Sequence, residues 1–210
     1  MPIAHTAAGL IVCFSPALKI RNKLPPREVG VVVVCAIFMA NSPDLDFLPG
    51  ILLGHPNRFH HGISHSAFSG VVFTTLVWIY VKKFVNSISG GLLFNILLLS
   101  FLSHVFLDFF SSDTSNPYGI PLLWPFKDEY FISSFPFFRD VMRDGTTNSS
   151  FFTTLLNENN LWEVFLEILF SAFLLSFLFL NKNSFFSFNF WAPIFVMGIS
   201  ALLYYGIQIE

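Results

Sequence analysis

Six stretches of the chain are apolar with few or no charges: residues 3–18, 29–43, 66–81, 92–110, 162–180 and 190–207. A helix needs about 20 residues to cross a bilayer. The last three stretches approach that length. The first three are shorter and are expected to be tilted, re-entrant or buried among the others. Pro16, Pro25, Pro26, Pro43, Pro49 and Pro56 stand at or near segment ends, where helices stop, and Gly90 and Gly91 separate the third segment from the fourth. The pattern predicts an all-α fold, a polytopic membrane helix bundle of about six apolar segments in a single membrane-embedded domain over residues 1–210. Within it, residues 1–126 hold the polar motifs, 127–161 form a long outer loop, and 162–210 supply two C-terminal membrane helices.

Composition supports a membrane location. The chain is 54% hydrophobic and 18% aromatic, with 29 phenylalanines and a mean hydropathy of +0.65. A soluble domain of this size has no core large enough to hide that much apolar surface. The net charge of -2 gives no reason to expect a nucleic-acid partner. Cys13 and Cys35 each lie inside an apolar run, so neither a disulfide framework nor a zinc knuckle is indicated. The N-terminus, MPIAHTAAGLIVCF, lacks the basic region of a signal peptide and reads as part of the mature fold.

Basic residues set an expected orientation. Lys19, Arg21, Lys23 and Arg27 follow the first segment, Lys82 and Lys83 the third, and Lys182 the fifth, which is seven of the eleven basic residues on one side of a six-span arrangement. Arg58, Lys127, Arg139 and Arg143 are spread over longer loops on the other side. The short turns are therefore expected to be cytoplasmic. His5, Asp44 with Asp46, His60 with His65, and His104 with Asp108 then all fall at the outer ends of their segments.

That convergence is where the chemistry is expected. The stretch NSPDLDFLPGILLGHPNRFHHGISHS, residues 41–66, holds two aspartates and four of the six histidines between two apolar runs. Ionisable groups near bilayer depth are expensive and read as functional, and imidazole with carboxylate suits zinc and other first-row metals. In SHVFLDFF, His104 and Asp108 are at i, i+4 and share a helix face. They either ligate together, or Asp108 sets the histidine's tautomer. A self-satisfied buried pair is the plain alternative. Asp44 and Asp46 share a side only in a turn or extended segment, where one ligates and the other bridges or acts as general base on an attacking water. The alternative is a helix cap. His60 and His65 bracket a turn that Gly62 makes tight, His55 reads as a loop residue, and His5 gains weight from its position on the same face. Arg139 and Arg143, at i, i+4, suit a phosphate but read more simply as a solvated helix face. Tyr118 and Trp124 suit a lid at the membrane interface.

Taken in order, HTAAG, PDLD, HHGISHS, SHVFLD and GIPLLWPF resemble the YdjM-like family of LexA-regulated inner-membrane proteins, described as metal-dependent hydrolases. The family pattern reads PDxD, HRGxTHS, HxxxD and a final PF, and the resemblance runs from His5 to Phe126. His61 stands where the family has arginine, and Ser64 where it has threonine. Arg58 is the candidate to replace the missing arginine.

The sequence therefore predicts a multi-pass protein of the bacterial inner membrane with its metal site toward the outer face. One or two divalent ions, zinc first and manganese next, are expected on His5, Asp44, Asp46, His60, His65, His104 and Asp108, with Asp46 as the bridging or catalytic carboxylate. The expected partner is membrane lipid, and the expected reaction is hydrolysis of a lipid or lipid-linked phosphoester. A non-enzymatic protein stapled by a structural metal, or a metal-ion transporter, is the competing class. The apolar stretches Val71–Tyr80 and Leu92–Leu99 argue against a through-path for ions.

Overall fold

Proline and serine set most of the helix starts. The computed structural model describes residues 2–15, 20, 23–114 and 116–179. Helix α1 covers Pro2–Phe14, and α2 covers Pro26–Asn41 with Pro26 in its first turn, where a missing N–H costs nothing. A 3-10 turn over Pro43–Asp46 leads into the short α3, Phe47–Leu52. Helices α4 (Ala67–Val81) and α5 (Gly90–Phe109) are capped by Ser66 and Ser89, which accept from the backbone N–H of Ser69 and Leu92. A capping box between Thr147 and Ser150 starts α6, Asn148–Thr154, and α7 runs over Glu158–Phe179. No strand forms among the described residues; two isolated bridges, Ser111 with Phe138 and Ile120 with Phe131, tie the long loop to itself. The all-α expectation holds.

The described residues do not confirm the six-span expectation. Among the described residues, Gly90–Phe109 is the helix long and apolar enough to cross a membrane. Pro26–Asn41 and Pro43–Leu52 pass that test together, bent by 55°. Pro43 accounts for the break, since it has no N–H to continue the α2 ladder, although Ser42 before it keeps helical backbone. Helices α1 and α4, with 13 and 15 residues, are shorter apolar helices. The expected sixth segment, together with Lys19, Arg21 and Lys182, lies outside the described residues.

Helices α1, α2, α4 and α5 pack around a core that includes Val32, Ala36, Met39, Leu93, Ile96, Leu97 and Phe101. Their outer faces remain apolar: Val34 and Phe38 on α2, Leu76 and Ile79 on α4, and Leu99 and Phe106 on α5 are all exposed. Such a surface suits hydrocarbon rather than water. Helices α1 and α2 cross closely at Gly9. A Cβ on Gly9 would stand 2.9 Å from both the Ala36 carbonyl oxygen and the Ala40 Cβ, so only glycine permits this approach, as small residues do at membrane-helix crossings. The crossing sets His5, one turn before Gly9, beside the end of α2. Asn41 Nδ2 locks the same end, donating to Thr6 Oγ1 at 3.0 Å and to the Ile37 carbonyl at 2.8 Å.

At the opposite end, Glu28 at the start of α2 accepts from the backbone N–H of Asn86 and Ser87 in the turn between α4 and α5. Helix directions therefore alternate. The start of α1, the end of α2, the start of α4 and the end of α5 all meet at one end of the bundle.

Candidate metal centre

All seven predicted ligands are within 3.6 Å of another of them, with Asp46 3.2 Å from both His60 and His65. The largest set is Asp44, His65, His104 and Asp108, one ligand atom from each. His104 Nε2 lies 2.9 Å from Asp108 Oδ2, 3.5 Å from Asp44 Oδ1 and 3.3 Å from His65 Nε2. His65 Nε2 lies 3.3 Å from Asp108 Oδ2 and 3.6 Å from Asp44 Oδ1. Ligands about 2.0–2.1 Å from a tetrahedral zinc ion are roughly 3.3 Å apart. Five edges of the set thus scatter around the value that a single ion would impose.

The other ring nitrogens are already engaged. His104 Nδ1 is 2.8 Å from the Ala40 carbonyl oxygen, which can only accept, so this nitrogen donates. Ser64 donates its hydroxyl to Asp46 Oδ2 at 2.9 Å, leaving its oxygen to accept from His65 Nδ1 at 3.1 Å, with Asp46 Oδ2 itself 3.2 Å from the same nitrogen. Both imidazoles therefore turn an Nε2 lone pair toward the other, and a proton or a metal cation must lie between them. Fixing Nδ1 by an oxygen acceptor is how proteins orient metal-binding histidines. Burial alone would lower the pKa of His65, but Asp108, Asp44 and Asp46 outweigh it and raise it well above the ordinary imidazole range. Without a metal, the position between the two Nε2 atoms suits a proton.

His5 extends the set from α1. It stacks on His104 with ring centroids 3.8 Å apart, and its Nε2 is 3.3 Å from Asp108 Oδ1. Both its ring nitrogens are buried without a hydrogen-bond partner. Such orphaned nitrogens in a polar cluster fit a site completed by a cation.

A second set, Asp44, Asp46 and His60, shares Asp44 with the first, and a third joins His60, His61 and His65. His60 Nδ1 lies 3.2 Å from Asp46 Oδ1 and 4.0 Å from Asp44 Oδ1. The 3-10 turn after α2 turns both aspartates to the same imidazole. The capping alternative fails for Asp46, which precedes α3 yet makes no side-chain cap bond. Burial takes His60 down to about 3, with Asp46 opposing the shift. His55 is exposed and stands apart from the cluster.

The centre opens into a cavity of ≈ 210 Å³ whose lining includes Asp44, Asp108, His60, His61, Arg139 and Arg143, with Pro2, Phe47, Phe151 and Leu155 on its apolar side. Asp46 does not line it. Several of these residues escape the sequence reading. Arg143 is not on a solvated helix face: residues 139–147 form no helix, and its Nη1 donates to His60 Nε2 at 3.0 Å while Nη2 reaches Asp140 Oδ1 at 3.1 Å. The available signal was two arginines in one short run of a chain with few basic residues. His61 Nδ1 is 3.0 Å from Asp113 Oδ2, a His–Asp pair 52 residues apart with no local signature. The left-handed residue in this turn is His61, at φ 56°, not Gly62. Gly62 is needed for a different reason, since a Cβ there would stand 2.6 Å from the Phe59 carbonyl oxygen. The GIPLLWPF motif is structural at one position at least: the Leu122 carbonyl accepts from Ala67 N at 3.0 Å and fixes the start of α4.

The family described as YdjM inner membrane protein matches residues 1–185. That span goes well past Phe126 and takes in the whole cavity lining. No curated protein and no solved structure matches the chain.

Zinc added to the metal-free protein is expected to release protons, because His65 must lose its Nε2 proton to ligate. Binding should weaken as pH falls, and His104→Ala should weaken it while leaving Asp44, His65 and Asp108 to hold the ion. Calorimetry in two buffers of different ionisation enthalpy measures the protons released. Binding with no proton release at neutral pH would contradict this arrangement.

Proposed function

Because the chain belongs to the YdjM inner membrane protein family, we propose that it is a membrane-bound metal-dependent hydrolase of a lipid or lipid-linked phosphoester. The observation that carries this reading is the cavity. Its lining brings together Asp44 and Asp108 of the metal-type set, Arg139 and Arg143, and the apolar side chains of Phe47, Phe151 and Leu155. Cations in one cavity with a metal site suit a phosphate, and the apolar lining suits the chain attached to it.

Asp44, His65, His104 and Asp108 would hold a divalent ion, zinc by ligand type, with His5 behind Asp108. Once bound, the ion would supply Lewis-acid polarisation of a phosphoryl oxygen and of an attacking water. The remaining work falls to side chains. Arg143 and Arg139 bind and orient the anion. His61 lines the cavity, and Asp113 holds its Nδ1, which leaves Nε2 to carry a proton. Asp46 has its oxygens on Ser64, His65 and His60, which supports a positioning role in place of the catalytic one expected from sequence.

One observation favours a second reading. Four protein ligands at tetrahedral spacing also suit a closed structural ion that staples α2, α5 and the turn before α4. Against it, the Asp44 side chain is 27% exposed and faces the cavity.

Metal-loaded protein in detergent should cleave lipid phosphates, lose activity to a chelator and regain it with zinc or manganese. His61→Ala is expected to lower turnover by about 10²-fold or more with metal retained, the loss of a general acid or base. Asp46→Asn should weaken metal affinity about 10–100-fold and recover turnover at saturating metal, as loss of an orienting partner does. A persistent loss in Asp46→Asn at saturating metal would return the proton-transfer role to Asp46. If no phosphoester is cleaved under any metal, the hydrolase reading fails and the structural ion takes its place.

The basic residues near α2 and after α4 favour a cytoplasmic location for that end and an outer-face location for the cavity. In a chain freed of Cys13 and Cys35, Phe59→Cys should react with an impermeant thiol reagent from outside and Lys83→Cys only after the membrane is opened. The reverse pattern would move the site to the cytoplasmic face.

A further inference from the structure

The two acidic sets invite a two-ion site with Asp44 as the bridge. The hydrogen bonds around His60 argue otherwise. We infer that the centre takes one ion, and that the guanidinium of Arg143 supplies the second positive charge. The inference deepens the metal-site reading above and rests on it.

A guanidinium has five donors and no acceptor. Arg143 Nη1, 3.0 Å from His60 Nε2, must therefore donate, and the imidazole must accept. A neutral imidazole that accepts at Nε2 carries its proton on Nδ1, and that proton faces Asp46 Oδ1 at 3.2 Å. His60 then has no lone pair left for an ion between Asp44 and Asp46. The second oxygen of Asp46 takes the Ser64 hydroxyl at 2.9 Å. The second set is thus closed by hydrogen bonds that run from Arg143 through His60 and Asp46 to Ser64.

Charge points the same way. Asp44 and Asp108 balance one divalent ion. A further divalent ion beside His60 would also stand close to the Arg143 guanidinium, 3.0 Å from His60 Nε2.

Arg143 is held where it is. Its guanidinium lies over the Phe47 ring at 5.5 Å, and Phe47 also stacks on His60 with centroids 3.9 Å apart. Nη2 is anchored on Asp140, and Met142 next to it is gripped by Asn160 through both backbone N–H and carbonyl. A Cβ at Gly145 would meet Asn57 Nδ2 at 2.7 Å, so the loop also sits tight against the 3-10 turn over Pro56–Phe59. With two N–H groups engaged, the rest can meet an anion in the cavity that Arg143 shares with Asp44 and Asp108.

The test counts ions. Detergent-purified protein is loaded with excess zinc, desalted and analysed by mass spectrometry for metal per chain. One ion is expected in the parent and one in His60→Gln, because glutamine can both accept from Arg143 and donate to Asp46. Two ions in the parent, with one lost in His60→Gln, would overturn the inference. Inorganic phosphate is then titrated into the zinc-loaded protein, where Arg143→Ala should weaken binding about tenfold or more, the loss of a charge-assisted bond. Unchanged phosphate affinity would remove Arg143 from the anion's side of the cavity. The parent count stands even if a variant fails to fold. A single ion without phosphoesterase activity would sink the hydrolase reading and keep this inference; no ion at all would sink the metal reading itself.

Discussion

Asp44 and Asp108 share one end of an apolar helix bundle, and their charge has to be met there. Asp108 is 8% exposed and touches three imidazoles: His104 at 2.9 Å, and His65 and His5 at 3.3 Å. Isolated carboxylates in such surroundings would take up protons or pull the bundle apart. Here hydrogen bonds on the far side of each ring fix how the imidazoles face the carboxylates. Ala40 and Ser64 take their Nδ1 protons and leave the Nε2 lone pairs to converge on the carboxylates. A divalent cation meets all four groups at once, whereas a single proton meets them unequally.

The fold serves that constraint through backbone as much as through side chains. The Ala40 carbonyl that orients His104 belongs to the last turn of α2, where the ladder ends ahead of Pro43 and a carbonyl is left free. The Gly9 crossing brings α1 against the same turn and carries His5 with it. Ser66 and the Leu122 carbonyl fix the start of α4 and with it the turn that presents His65. Each of these is a helix end, which is where backbone groups are available to hold polar side chains in an apolar bundle.

Much of the site was legible in the sequence because it depends on local spacing and on helix ends. His104 and Asp108 share a face by the helical repeat, and Pro43 announces the break that turns Asp44 and Asp46 toward His60. The all-α class followed from long uncharged segments. Bilayer-spanning length was legible in part: α4 covers its short apolar run, whereas α1 ends at Phe14, inside its run. The roles within the cluster were not legible at all. Whether Asp46 ligates or orients depends on which oxygen meets Ser64, and the sequence carries no such information. Arg143 and Asp113 come from the long loop, whose path is set by contacts with Asn57, Asn160 and Phe131 rather than by any periodic pattern. The turn at His61 shows the same limit: a glycine beside it invites the left-handed assignment, but the positive φ falls on the histidine and Gly62 instead sits against the Phe59 carbonyl.

The central claim is that the converging lone pairs of His65 and His104, with Asp44 and Asp108, form a metal site. X-ray absorption of the zinc-loaded protein tests it most directly. The account predicts a first shell of nitrogen and oxygen at about 2.0–2.2 Å, with the outer-shell scattering of two imidazoles, one of which disappears in His104→Ala. A shell without imidazole scattering, or a spectrum that His104→Ala leaves unchanged, would contradict it.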